Sequence, residues 1–174
     1  DWKRHYKYLR AFFLDQRYLK VDGKPVFLIY RSADIRVFDE MLAIWDRLAR
    51  DDGFPGLYIV ETLNGIQMAP CSDRSDAVLE FEPMYTMRTQ LPPFYRIRLW
   101  IAKFLSLVFH GEMKTWTRLR QVPYGAIWSR IVRRKRAYLG KRRIRGAFVD
   151  WDNSPRRGAS GTIFSGGSPE VFSC

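Results

Sequence analysis

The residues best suited to binding chemistry lie in segment 148–158, which reads FVDWDNSPRRG. Trp151 offers a flat apolar surface, while Asp152, Asn153 and Arg156 supply hydrogen-bond acceptors and donors. This mixture suits a hydroxylated ligand such as a sugar. The apolar start of the segment predicts a buried strand whose end carries these polar side chains into a cleft. A second interpretation is a simple turn, because Asp, Asn, Ser and Pro each favour turns.

Glu80 and Glu82 are candidate catalytic residues, because paired carboxylates can break a glycosidic bond by general acid and base chemistry. If both lie on one strand, their side chains point the same way, with their roots roughly 6 to 7 Å apart. Glycosidases place such carboxylates roughly 5 to 9 Å apart. The pattern is not specific to catalysis, since a carboxylate at this position can equally end the strand or bind an arginine.

Two earlier apolar runs also end in polar residues. Tyr30 and Arg31 follow the run 25–29, and Glu61 follows the run 57–60. The carboxyl ends of parallel strands lie on one face of a barrel. Tyr30 and Arg31 are therefore predicted to contact the same ligand as the Trp-Asp-Asn segment.

The elements that must position these residues alternate between strands and helices, which predicts a mainly parallel α/β fold. Apolar and aromatic residues recur at helical spacing in two segments, predicting helices over 2–13 and 35–50. Short apolar runs predict four buried strands, at 25–31, 57–61, 77–83 and 147–150. We expect a single domain over residues 1–174.

A long excursion at 84–145 separates the third predicted strand from the fourth, and we expect it to be helical. Its apolar first half predicts a helix over 95–109. Between Glu112 and Asp150 the chain has twelve Lys and Arg and no acid. The other eighteen Lys and Arg equal the eighteen Asp and Glu in number, so the net charge of +12 belongs to this segment.

The basic segment 114–145 has three interpretations. It can form crossover helices with a solvated basic face, or helices that lie on an anionic membrane surface. It can also bind nucleic acid or another anionic polymer, which makes a non-catalytic binding module the alternative function. Nucleic acid is the weakest of these, because the segment lacks a recognised nucleic-acid motif and the rest of the chain is electrically balanced.

The sequence argues against several kinds of site. Cys71 and Cys174, the two cysteines, form neither a disulfide framework nor a zinc-ligand spacing. They favour a reducing, cytoplasmic compartment, with the basic helices as a route to peripheral membrane attachment. No apolar run approaches the roughly twenty residues that span a bilayer. Nucleotide-binding, serine-hydrolase and zinc-protease motifs are missing, so we expect neither a metal nor a cofactor.

Four motifs occur in an order that resembles a known family. They are YLKVDGKPVFLIYR at 18–31, GLYIV at 56–60, DAVLEFEP at 76–83 and WDNSPRRG at 151–158. The set resembles the WbsX-type glycosyltransferases, which are related to glycoside hydrolase family 99. The resemblance covers nearly the whole chain outside the basic excursion.

The resemblance implies part of a (β/α)8 TIM-type barrel that acts on carbohydrate. The implied setting is bacterial surface-polysaccharide or lipopolysaccharide metabolism, through glycosyl transfer or glycosidic hydrolysis. Family members carry a Trp-Ala-Asn-Glu-type motif and, with the catalytic carboxylates, an Asn-Glu-Trp-x-Glu-Gly motif, and neither is present here. A whole barrel typically needs about 250 residues. We therefore expect a fragment that is inactive alone, with carbohydrate as its partner.

Overall fold

A computed structural model describes residues 1–90, 101, 120–135, 140–158 and 161–173. The chain divides into two compact units. Unit 1 comprises Asp1–Phe81 and Arg136–Gly146, and unit 2 comprises Glu82–Lys135 and Ala147–Cys174. Each unit has an apolar core of its own. The prediction of a single domain stays a prediction.

Helices and strands alternate along much of the described chain. The helices are α1 (Trp2–Phe13), α2 (Phe38–Asp51), α3 (Met84–Thr89), α4 (Tyr124–Arg133), α5 (Ser154–Arg157) and α6 (Pro169–Ser173). The strands are β1 (Lys20–Val21), β2 (Lys24–Ile29), β3 (Tyr58–Leu63), β4 (Ala77–Glu80), β5 (Arg120–Pro123), β6 (Arg142–Ile144) and β7 (Thr162–Ser165). The predicted helices over 2–13 and 35–50 are confirmed as α1 and α2, the second beginning three residues later than predicted.

The main sheet belongs to unit 1 and has the strand order β1-β2-β3-β4-β6. Strands β2, β3, β4 and β6 are parallel, whereas β1 pairs with β2 in the antiparallel sense across the Asp22-Gly23 turn. The register aligns Ile29 with Glu61 and Leu63 with Glu80. The predicted mainly parallel α/β fold is thus confirmed, and this sheet is compatible with part of a TIM-type barrel.

The predicted strand at 147–150 is wrong. The fourth parallel strand is β6, which lies inside the excursion at Arg142–Ile144. Arg143 can lie in a sheet because its side chain forms an ion pair with the carboxylate of Glu80, the last residue of β4. In 147–150 Phe148 is buried, but Val149 is 72% exposed, so the apolar run anchors one ring and does not form a buried strand.

The core of unit 1 lies between the sheet and the first two helices. Trp45 is its centre, since its side chain is 1% exposed and its Nε1 donates to the carbonyl oxygen of Trp2 at 2.9 Å. The ring of Phe27 meets the Trp45 ring edge-on, with centroids 5.2 Å apart. Strand β2 and helices α1 and α2 therefore pack through one aromatic cluster.

Unit 2 packs helix α4 against the two-stranded parallel sheet of β5 and β7. Tyr124 begins α4, and its hydroxyl donates to the carbonyl oxygen of Phe148 at 2.7 Å. Most of the predicted helix 95–109 lies outside the described residues. Within the described ranges, no helix is both long and apolar enough to cross a bilayer.

Replacing Trp45 should destabilise unit 1. Trp45→Ala removes the largest fully buried side chain among the described residues and leaves the Trp2 carbonyl without its donor, so we expect the free energy of unfolding to fall by about 3–5 kcal/mol. Tyr8→Ala, on the exposed face of α1, is the control and should change it by less than about 0.5 kcal/mol. Urea denaturation measures both, and equal effects would contradict this description of the core.

Candidate functional site

A fully buried carboxylate organises the carboxyl end of the parallel sheet in unit 1. Glu61 accepts hydrogen bonds from Ser32 Oγ and from Gln67 Nε2 at 3.0 Å. It also accepts from the backbone amides of Cys71 at 2.8 Å and Ser72 at 3.2 Å. These donors lie in the connections that follow β2 and β3. Glu61 therefore holds both loops against the end of the sheet.

The hydrogen bonds also fix the charge of Glu61. Burial raises the pKa of this carboxyl, but the bonds from the Ser32 hydroxyl and the Cys71 and Ser72 amides outweigh burial, so the pKa lies below its ordinary value. Glu61 is consequently ionised at neutral pH, where an ionised carboxylate cannot act as a general acid. Its chemistry is that of a fixed acceptor that positions loops.

Tyr30 and Arg31 lie directly after β2, as predicted. The carbonyl oxygen of Tyr30 accepts from Thr62 Oγ1 at 2.6 Å and from Asn64 Nδ2 at 2.9 Å, which fixes the backbone. The Tyr30 ring is 48% exposed. Arg31 forms an exposed ion pair with Asp34, with 2.8 Å between Nη2 and Oδ2. Both side chains are therefore accessible to a ligand.

The two candidate catalytic carboxylates are buried, and each is bound by an arginine. Glu80 ends β4 and accepts from Nε of Arg143. Glu82 follows the strand, and its Oε1 lies 2.8 Å from Nη2 of Arg134. It also accepts from the amide of Thr86 at 3.0 Å and from the Thr86 hydroxyl at 2.9 Å. The alternative that such a residue binds an arginine is thus confirmed for both.

The strand register places Glu80 on the helix-facing side of the sheet. Glu80 pairs with Leu63, which shares a face with Glu61 because side chains alternate along a strand. Glu61 pairs in turn with Ile29, a member of the core that α1 and α2 cover. Catalytic side chains of a barrel project from the strand ends toward its mouth. The position of Glu80 therefore favours a structural role.

No buried strand precedes the Trp-Asp-Asn segment, so that part of the prediction is wrong. Asp152 forms an isolated antiparallel bridge with Ile163 of β7, and the second interpretation, a turn, is confirmed where the chain enters α5. Asp152 Oδ1 accepts from the Ser154 amide at 2.7 Å, and Asn153 Oδ1 accepts from the Thr162 amide at 2.7 Å. Hydrogen bonding from Ser154 lowers the pKa of Asp152. A Cβ added to Gly161 would lie 2.7 Å from the Cα of Ser154, so this turn needs a glycine opposite it.

The four predicted ligand contacts of this turn differ in exposure. Trp151 is half-buried and packs against the core of unit 2, whereas the side chains of Asp152 and Arg156 are exposed and Asn153 is half-buried. These four lie in unit 2, while Tyr30 and Arg31 lie in unit 1. The turn carries a carboxylate, an amide and a guanidinium close in sequence to a half-buried indole ring.

Sequence reasoning missed how the basic segment contributes to unit 1. Lys141 Nζ donates to the carbonyl oxygens of Ser72 and Ser75, each at 2.6 Å, and to Ser75 Oγ at 2.8 Å. The charged residues near Lys141 in the sequence are all basic, which gave no signal for a buried partner. No group of three or more His, Cys, Asp or Glu that could hold a metal ion occurs among the described residues.

The glycosyltransferase WbsX family model matches residues 1–174. The chain belongs to the WbsX family. It is 26% identical over 156 residues to proteins named "Uncharacterized protein WxcX" from two strains of Xanthomonas campestris pv. campestris. Each alignment covers 90% of this chain and 20% of the relative, so the chain spans about a fifth of the length of these relatives. No solved structure matches the chain significantly.

Family membership confirms the resemblance that the four sequence motifs indicate. The WbsX match includes the basic excursion 84–145, which those motifs do not cover. Of the motif residues, the Val-Asp-Gly-Lys-Pro-Val-Phe run forms the β1–β2 hairpin, and the Trp-Asp-Asn run forms the turn before α5. These two motifs of the WbsX chain therefore correspond to a hairpin and a turn.

Neutralising Glu61 should loosen the carboxyl end of the sheet. In Glu61→Gln an amide NH2 group replaces one carboxylate oxygen and faces other donors, so we expect the free energy of unfolding at pH 7 to fall by about 1–3 kcal/mol. Glu40→Gln, an exposed glutamate in α2, should have a much smaller effect. Urea denaturation at several pH values measures the free energy of unfolding of both variants and of the wild type.

The loss should also depend on pH. The folded-state pKa of Glu61 lies below its ordinary value of 4.5, so its stabilisation is complete above that value and is lost as the pH falls through the folded pKa. The difference between wild type and Glu61→Gln should thus be constant from about pH 6 to 7 and shrink below about pH 4. A difference that grows on acidification would contradict the proposed charge state.

Proposed function

We propose that this chain forms part of a glycosyltransferase of bacterial surface-polysaccharide or lipopolysaccharide metabolism, built as part of a TIM-type barrel. The observation that carries the proposal is the match to the WbsX family over residues 1–174. The mostly parallel sheet supports it, because parallel strands with polar carboxyl ends are the framework on which barrel enzymes bind substrates. The parent protein is then an enzyme, and the chain contributes part of its substrate site.

The proposed carbohydrate contacts are residues with accessible polar or aromatic surface. They are Tyr30 and Arg31 after β2, and Trp151, Asp152, Asn153 and Arg156 around the turn before α5. Hydroxyl groups of a sugar need dense donors and acceptors together with an apolar ring face, and these side chains provide both. Hydrogen bonds to Ser154 and Thr162 hold Asp152 and Asn153 in place before any ligand binds.

We assign substrate binding, and not bond cleavage, to these described residues. Glu80 and Glu82 are each engaged by a buried arginine, which leaves them poorly placed to approach a glycosidic bond. The family resemblance assigns the catalytic carboxylates to an Asn-Glu-Trp-x-Glu-Gly motif, which this sequence does not contain. We accordingly propose that the chain alone has no activity.

Glycoside hydrolysis is the second candidate, because the WbsX-type proteins resemble glycoside hydrolase family 99. A barrel of this kind can present either a sugar acceptor or water to the reacting carbon. The test is product analysis with the full-length protein, a surface-polysaccharide acceptor, and a set of nucleotide-sugar donors present or omitted. We expect a longer glycan only when a donor is present. Shortened glycan without any donor would overturn the transferase assignment.

Variants of the turn should weaken this reaction. We expect Trp151→Ala and Arg156→Ala each to raise the apparent KM for the glycan acceptor by about tenfold. Trp151→Ala removes an aromatic contact with the sugar, and Arg156→Ala removes a charged hydrogen-bond donor. Val149→Ala, in the same segment and 72% exposed, is the control and should leave KM unchanged. Melting temperatures separate binding from stability for Trp151, which packs on the core. Unchanged KM in both variants would contradict the site.

A further inference from the structure

Unit 2 contains a strongly basic groove that the proposed carbohydrate contacts do not use. The groove has a volume of about 520 Å³, within the range of small-molecule sites. It lies where helices α3 and α4 end, and its lining residues are Gln90, Ser129, Arg130, Arg133, Arg134 and Lys135. None of these described lining residues is acidic.

The helix geometry points several donors at the groove. Arg133 lies three positions after Arg130 and four after Ser129, so it lies beside both of them on the surface of α4. Arg130 uses Nη1 to donate to the Ala126 carbonyl at 2.6 Å, and its remaining N–H groups are not used in that bond. Gln90 caps α3 on the other side. The lining thus consists of hydrogen-bond donors from two helices.

Buried contacts fix one wall of the groove in advance. Arg134 donates to Thr86 Oγ1 at 2.6 Å and to Glu82 at 2.8 Å, and its guanidinium lies 4.9 Å from the centre of the Tyr85 ring. Its side chain is 8% exposed. Since Arg134 follows α4 and the other three residues precede or begin α3, the contacts hold the end of α4 against the first turn of α3.

The described carboxylates do not balance the charges of the groove. Glu82 compensates Arg134, whereas Arg130, Arg133 and Lys135 form no ion pair with any described carboxylate. The carbonyl end of α4 carries only about half a negative charge. Three neighbouring cations would repel one another in the absence of a ligand, and an anion with several acceptor oxygens would relieve this repulsion.

We propose that this basic groove binds the phosphoryl group of a small-molecule ligand. A phosphoryl group carries about −1.5 to −2 charges at pH 7 and three acceptor oxygens, which match a cluster of guanidinium and ammonium donors. The groove is far larger than one phosphate, so a diphosphate or a phosphate with an attached organic group fits its volume. The assignment depends only on the groove and is independent of the proposed glycosyl transfer.

Calorimetric titration of the full-length protein with inorganic phosphate and with pyrophosphate tests the proposal. We expect both to bind, with pyrophosphate the tighter of the two, and Arg130→Gln and Arg133→Gln each to weaken pyrophosphate binding by about tenfold. Arg133→Lys, which keeps the charge but loses the planar fork, should lose less. Arg88→Gln is the matched control, because Arg88 is also an exposed arginine in the last turn of a helix of unit 2 but does not line the groove.

Three results would overturn the proposal. The first is absence of phosphate and pyrophosphate binding to a wild-type protein that melts cooperatively. The second is an equal loss of affinity in Arg88→Gln and Arg133→Gln, which would show that only general surface charge matters. The third is binding to vesicles containing acidic lipid, or to single-stranded DNA, without any binding of pyrophosphate. The turnover assay for glycan is a separate readout, so failure of either proposal leaves the other testable.

Discussion

The buried carboxylates near the ends of β3 and β4 impose the constraint on which the rest of the structure depends. Glu61, Glu80 and Glu82 are at most 4% exposed. Removing an ionised carboxylate from water costs several kcal/mol unless other groups replace the lost hydration. Glu61 obtains four hydrogen bonds from nearby loops, while Glu80 and Glu82 obtain arginines that lie 63 and 52 residues further along the chain.

This requirement explains part of the basic segment. Arg134 and Arg143 neutralise buried glutamates, and Lys141 holds the loop that precedes β4 by its carbonyl oxygens. These cations are structural, in contrast to the interpretations of a solvated face, a membrane surface or a polymer site. Three more bases, Arg130, Arg133 and Lys135, line the groove at the end of α4, where we propose that they bind a phosphoryl group. A single excess of charge in the sequence thus serves more than one purpose.

The sequence predicted those elements whose apolar pattern matches their burial. Helices α1 and α2 and strands β2, β3 and β4 follow from periodic or continuous apolar residues. Strand β6 could not be found in this way, because Arg142-Arg143-Ile144 is stable in the sheet only through a partner that is distant in sequence. The run at 147–150 predicted a strand wrongly for the opposite reason, since only its Phe148 ring is buried while Val149 is exposed. The predicted contacts around Trp151 are accessible, but the turn that holds them depends on Thr162 and Gly161, which no local pattern reveals.

The central claim is that the carboxylates near the end of β4 stabilise the structure and do not carry out the reaction. A double-mutant cycle on Glu80 and Arg143 in the full-length protein tests it most directly, with unfolding in urea and glycan turnover measured for each variant. We predict that Glu80→Gln and Arg143→Gln each lower the free energy of unfolding by about 3–5 kcal/mol, and that the double variant loses clearly less than the sum. If Glu80→Gln instead kept full stability and abolished turnover, Glu80 would be a catalytic residue and the claim would be contradicted.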